Sequence, residues 1–222
     1  MSIKKYIKNK KTKHFTINNI EVFVKNEVEN ENVSVKNVII SLTDRIPKHL
    51  MRNIESVYVG QFQFLKDKEM QAAYENSSIF VTNEQEDESD MVDDMIHEVA
   101  HSVEELYREY LYSDKKLEKE FANKRKSMWQ TLKSKGYSVE LSNFLELEYN
   151  LEFDKFLYQE IGYPVLSMLT INIFHSPYAA TSISEYFADG FEAFYMNDEI
   201  SRLKSVSPSL YYKITGLLEE QQ

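Results

Sequence analysis

The chain has no cysteine among its 222 residues, which excludes a disulfide framework and any thiolate metal site. A metal held here must sit on imidazole and carboxylate. Histidine is itself scarce, five in all, so any two of them placed together carry weight. Only five glycines and four prolines punctuate the chain, which favours helices over a succession of tight turns. No run of 18 apolar residues occurs, and no apolar core follows the N-terminal lysines. Neither a membrane span nor a secretory signal is therefore expected, and the chain is expected to be soluble and, as encoded, cytoplasmic. Positive charge is also short: a formal net charge of −10 argues against a nucleic-acid partner, because phosphate neutralisation needs clustered Lys and Arg. The one basic cluster is Lys4, Lys5, Lys8, Lys10, Lys11 and Lys13. It reads as a solvated, flexible tail over residues 1–14 rather than a contact for a membrane or an acidic partner.

What is present suits a globular α+β chain, mostly helical. Hydrophobic residues make up 42% and aromatics 13%, enough to bury a sizeable core in a single domain over residues 15–222. An N-terminal α/β part over about 15–112 and a C-terminal helical part over about 113–222 are expected within it. Residues 16–24 alternate like one strand. Val35, Val38, Ile39, Leu42 and Ile46 follow helical spacing, and Pro47 can open a second short helix through Leu50 and Ile54. Residues 56–65 and 77–82 are short β-rich runs, and the acidic stretch Glu84, Glu86, Asp87, Glu88 and Asp90 reads as a solvated loop, since the spacing of a calcium loop is missing. From Met91 onward the helical period dominates, with breaks at Gly136, Pro164 and the turn His175-Ser176-Pro177. A last short helix opens at Pro208.

The scarce histidines meet at His97-Glu98-Val99-Ala100-His101. Two imidazoles four residues apart on a helix lie one turn apart on one face, where both can hold a single Zn²⁺. The glutamate between them can take a proton from a water that the metal acidifies and deliver it to a leaving amine, which is the chemistry of peptide hydrolysis. The alternative is an exposed polar stripe on a helix. Ile96, Val99, Ala100, Val103 and Leu106 give the helix an apolar face that His97 and His101 flank. Ser89 or Asp90 can cap it, and Asp93 and Asp94 put negative charge in its first turn.

A catalytic zinc site normally has three protein ligands and leaves the fourth position to water. A third histidine in the extended HExxHxxGxxH pattern is excluded, since Glu104 stands at the glycine and Tyr107 at the histidine position. A downstream carboxylate is expected instead. Glu140, Glu146, Glu148, Glu152 and Glu160 read as surface charge. Glu185 differs, because Ser182 or Ser184 can cap a helix that places it in the first turn. Asp189, one turn later on the same face, could accept from the distal N–H of a ligating imidazole and fix its orientation. Tyr178 could donate to the oxyanion of a tetrahedral intermediate; its alternative is a core aromatic. His175 is either a turn residue or a lining donor.

HExxH with Tyr178 and Glu185-Tyr-Phe-Ala-Asp-Gly-Phe191 downstream resembles the catalytic domain of the anthrax lethal factor family of zinc metallopeptidases, which includes the proline-proline endopeptidases. The resemblance covers about residues 44–222 and is carried by two blocks, 89–107 and 177–196. It implies a zincin-like domain with a gluzincin-type site and one zinc per chain: His97, His101 and Glu185 on the metal, Glu98 as general base and Tyr178 assisting. It further implies that Ser78, Ile79, Phe80, Val81 and Thr82 form an edge strand over the active-site helix, along which a protein substrate lies extended. The segment 102–177 is longer than the resemblance predicts, and members of that family are often secreted. The expected function is a monomeric zinc-dependent metalloendopeptidase. The alternative is a catalytically inactive module of the same fold that binds an extended peptide along its edge strand; a purely structural metal site is disfavoured, since such sites use four ligands, often cysteine.

Overall fold

The computed structural model describes residues 13–197 and 200–218, and the chain is α+β, 56% of it helical, with one five-stranded mixed sheet. Two compact units divide at Val103 and Glu104. The division falls inside the helix Glu88–Tyr112, not at its end as the sequence pattern suggests. Of the basic tail expected over 1–14, residues 1–12 lie outside the described residues, and Lys13 and His14 open the first strand.

In the first unit, β1 (Lys13–Ile17) and β2 (Ile20–Val24) form an antiparallel hairpin. The single strand expected over 16–24 is thus two. The turn is Asn18-Asn19, both at positive φ (51° and 70°), a conformation asparagine tolerates and one whose twist matches a tight hairpin. Helix α1 (Val35–Arg45) is capped by Ser34, whose side chain accepts from Asn37 N. Residues 47–54 form successive turns rather than a helix, with bonds such as Leu50 N to Pro47 O at 2.9 Å. β3 (Ser56–Val59) ends sooner than expected, and the chain then coils into the short α2 (Gln63–Asp67). β4 (Ala72–Glu75) turns back through Asn76-Ser77, both at positive φ, into β5 (Ser78–Val81).

The sheet order is β1-β2-β3-β5-β4, and this corrects the expected edge strand. β5, carrying Ser78, Ile79, Phe80 and Val81, is hydrogen-bonded to β3 on one side and to β4 on the other. Its main-chain groups are used up in two ladders, with Thr82 N also committed to Gln71 O. The edge is β4, whose two alanines hid its strand character because alanine has little β-propensity. One sheet face carries Val22, Val24, Val57, Val59, Ile79 and Val81, all excluded from solvent. The other carries a cross-strand ladder of His14, Phe23, Tyr58 and Phe80, each ring stacked on the next at 4.6 to 5.1 Å.

The helix α3 (Glu88–Tyr112) starts earlier than expected because Asp87 caps it, accepting from Ser89 N at 2.7 Å and Asp90 N at 2.9 Å. Glu88 accepts from Ser34 N and Asn37 Nδ2, joining the beginnings of α1 and α3.

The second unit is built on α4 (Lys116–Ser134), followed by a 3-10 turn (Leu141–Phe144), α5 (Leu151–Lys155), a π-helical turn (Phe156–Ile161), α6 (Tyr163–Thr170) and a 3-10 turn (Tyr178–Ala180). It closes with α7 (Ile183–Tyr195), α8 (Ile200–Val206) and α9 (Pro208–Gly216). The inward face of α4 mixes Leu117, Phe121, Met128 and Leu132 with two cations, Lys124 and Arg125. Both donate to main-chain carbonyls, although Arg125 Nε is buried without a partner among the described residues. Lys124 Nζ donates to Val206 O at 2.7 Å and to Ile173 O. Arg125 donates to Ala180 O, Thr181 O and Asn143 O, with its guanidinium 4.0 Å from the Phe153 ring centre. Glu120 accepts from Ser209 N, Leu210 N and the Tyr186 hydroxyl, capping α9. Buried charges are costly unless most of their hydrogen-bonding groups find partners in this way.

At Gly190, α7 packs against α8 and α9 with no room for a side chain: a Cβ there would overlap Leu210 Cδ2 and lie 3.4 Å from Leu203 Cδ1. Gly190→Ala is therefore expected to destabilise the protein by about 1–3 kcal/mol through overpacking, despite alanine's better helix propensity. Chemical denaturation checks this, and an unchanged or raised midpoint would contradict the close approach.

Candidate metal centre

Burial fixes the rotation of α3. Met91, Val92, Met95, Ile96, Val99, Ala100 and Val103 are at most 2% exposed, so the period of the apolar positions turns the flanking His97 and His101 to the border of the core, where both are half-buried. Their rings stand 5.1 Å apart at 72°. One ligand atom from each imidazole and one carboxylate oxygen of Glu98 lie within 4.8 Å of one another. Two imidazoles and a carboxylate, in a chain without thiols, suit a borderline divalent cation such as zinc.

Glu98 is 6% exposed, and a carboxylate so placed needs donors. Its Oε2 accepts the Tyr74 N–H of β4 at 2.6 Å. One turn earlier on α3, Asp94 accepts from Gln85 Nε2 at 3.1 Å. Burial pushes the Asp94 carboxyl up to about 6; the Gln85 bond and His97 oppose this, and the charges of Asp90 and Glu98 add to it.

In the second unit, Ser182 is the cap of α7, accepting from Glu185 N at 3.1 Å, and Glu185 stands in the first turn, half-buried, as expected. Ser184, the other candidate cap, instead donates to Glu104, which also accepts from the Tyr112 hydroxyl at 2.6 Å. Asp189 is buried one turn on, with its Oδ2 3.9 Å from His175 Nδ1. His175 is thus placed beside a carboxylate within its own unit. Tyr178 lies in the 3-10 turn that Arg125 secures at Ala180 and Thr181. Its phenol is pushed well above the ordinary value, by burial first and then by the charges of Glu185 and Asp154, so it remains a hydrogen-bond donor at any physiological pH.

Residues that the sequence pattern did not single out gather around this pair. Asp154 accepts from the Tyr149 hydroxyl at 2.8 Å and from the Tyr163 hydroxyl at 3.1 Å, and the Tyr163 ring packs 6.4 Å from that of Tyr178. Burial, the Asp154 bond and nearby charge push Tyr149 up to about 12. No motif links these positions; the only local signal is Asn150, which caps α5 through Glu152 N and Phe153 N. Tyr74 acts through its main chain, which no side-chain pattern encodes. Glu140, Glu146, Glu148, Glu152 and Glu160 are all exposed, in keeping with surface charge. The acidic run 84–90 is mostly exposed too, apart from the capping and tethering of Asp87 and Glu88.

Comparison of the chain with protein-family models, curated proteins and solved structures gives no match in any of the three.

The raised Asp94 value has a signed consequence. The folded protein holds this proton more tightly than the unfolded chain, whose carboxyl titrates near 3.8, so Asp94 weakens the fold progressively as pH rises from 4 through 6. Asp94→Asn in the metal-free protein is expected to gain about 1–2 kcal/mol over the parent at pH 8, with the gap closing at pH 4. Denaturant titrations at the two pH values check this, and a pH-independent gap would contradict it.

Proposed function

We propose that the chain is a zinc-dependent endopeptidase. The observation that carries this reading is the grouping on α3 of two half-buried imidazoles with a buried carboxylate, their ligand atoms within 4.8 Å of one another. A structural metal site would call for four protein ligands, and a solvated polar stripe would not bury a glutamate and bond it to the neighbouring strand. Glu185 supplies the third ligand in this reading, supported by its capped first-turn position and by the resemblance described above. Bound zinc would supply Lewis acidity, acidifying a water and polarising the scissile carbonyl.

The chain's own groups do the remainder. His97 and His101 would hold the metal through their imidazole nitrogens. Glu98 accepts the proton of the attacking water and passes it to the leaving amine. Tyr178, kept protonated by its surroundings, donates to the developing oxyanion. Asp189 and His175 serve to orient groups around α7. The substrate is an extended peptide, and the strand to receive it is β4, the sheet edge nearest Glu98 in the hydrogen-bond pattern. No helix among the described residues is long and apolar enough to cross a membrane.

Purified protein is expected to carry about one zinc per chain by elemental analysis, the number that one such site holds, and to lose it in His97→Ala or His101→Ala. Glu98→Gln should keep the metal yet cleave a peptide library about 10²–10⁴-fold more slowly. A protein that takes up no zinc, or a Glu98→Gln variant as fast as the parent, would end this reading. Tyr178→Phe should lower kcat by about 10²-fold with little change in KM or zinc content; an effect confined to KM would assign Tyr178 to binding instead.

A further inference from the structure

Among the described residues, β4 has a hydrogen-bonded neighbour strand on one side only. Thr82 N donates to Gln71 O at 2.8 Å, and this bond sets the phase of the β4–β5 ladder. With Ala73 opposite Phe80 and Tyr74 opposite Ile79, the main-chain groups of Ala73 and Glu75 turn toward β5 and those of Ala72 and Tyr74 turn outward. An outward N–H on an edge strand is the group with which an added peptide strand pairs. At Tyr74 that donor is already engaged, with Glu98 Oε2 at 2.6 Å.

The strand that offers main-chain pairing and the carboxylate proposed to move the proton therefore share one donor. We infer that the Tyr74 N–H is a positioning group used in turn by Glu98 and by substrate. In the resting protein it holds the Glu98 carboxylate against β4. A peptide adding to β4 presents a carbonyl to the same N–H, displaces Glu98 from it and so frees the base only when a substrate main chain is in place. The inference rests on the endopeptidase reading for its functional sense, but the shared donor itself exists without metal. It makes β4 a determinant of substrate length: peptides too short to reach Tyr74 leave the base tied, which lowers kcat more than it raises KM.

The test uses the full chain, metal-free and ¹⁵N-labelled, with a capped random octapeptide pool as probe. Amide exchange at Tyr74 is expected to be slow in the parent and in Glu98→Gln, whose amide oxygen still accepts. In Glu98→Ala it is expected to be about tenfold faster or more, since the acceptor of its hydrogen bond has been removed. Ala73 and Glu75, which face β5, should be unchanged, showing that the strand is intact. The pool should shift the Tyr74 amide, and should bind Glu98→Ala about tenfold more tightly than the parent, because no carboxylate competes. Equal Tyr74 exchange in parent and Glu98→Ala, equal affinity of the two for the pool, or no shift of the Tyr74 amide would overturn the inference. Zinc content and cleavage report separately on the endopeptidase reading: a zinc-loaded, active protein with indifferent Tyr74 exchange fails this inference alone, and a metal-free, inactive protein with the expected exchange fails that reading alone.

Discussion

The candidate site depends first on the burial of one face of α3. Met91, Met95, Ile96, Val99, Ala100 and Val103 lose all contact with water, and each large apolar side chain among them contributes about 1.5–3 kcal/mol by doing so. Rotating the helix to expose that stripe would cost far more than any gain from solvating the histidines. The rotation is thereby set, and with it the border position of His97 and His101. Glu98 falls on the buried side of that border, where an ionised carboxylate is stable only with donors at hand. The Tyr74 N–H meets part of that need. The same burial that makes the helix a helix thus brings Glu98 into a bond with the sheet.

The second unit solves a related problem with the opposite charge. Arg125 and Lys124 sit on the inward face of α4, and their donors end on carbonyls of segments that have no ladder of their own: Asn143, Ile173, Ala180, Thr181 and Val206. Irregular turns around a site are difficult to hold by packing alone, because their main-chain groups need partners. Here two buried cations supply them. The Tyr178 turn and the start of α7 are held this way, and Ser182 then aims the first turn of α7, where Glu185 stands. Glu120 acts in the same fashion on the first N–H groups of α9. Three charged residues of one helix, Glu120, Lys124 and Arg125, organise the irregular half of the unit.

Local signals were legible where a side chain's own chemistry decides the outcome. Ser182 as a cap, the apolar face of α3 and the breaks at Gly136 and Pro164 could all be read from neighbours in sequence, since capping and helical period act within a turn or two. Other local signals were read wrongly because a competing local feature won. Asn18-Asn19 folds residues 16–24 into a hairpin, and Asp87 outcompetes Ser89 and Asp90 for the start of α3. Residues 62–67 leave the strand for a helical turn, against an apolar pattern that fits either.

Side-chain identity along the chain was enough to put an HExxH pair on one flank of a buried helix, to exclude any thiolate beside it, and to set Glu185 in the first turn of a capped helix with Tyr178 just upstream. These follow from period, composition and capping, which are properties of neighbouring residues. Only the tertiary structure decided that β5 is interior and β4 is the edge, that Asp154 gathers Tyr149 and Tyr163 beside Tyr178, and that the Tyr74 N–H serves Glu98. Strand order is set by pairings between segments far apart in the chain, and a main-chain donor is the same at every residue but proline, so neither leaves a mark in the identity of the side chains.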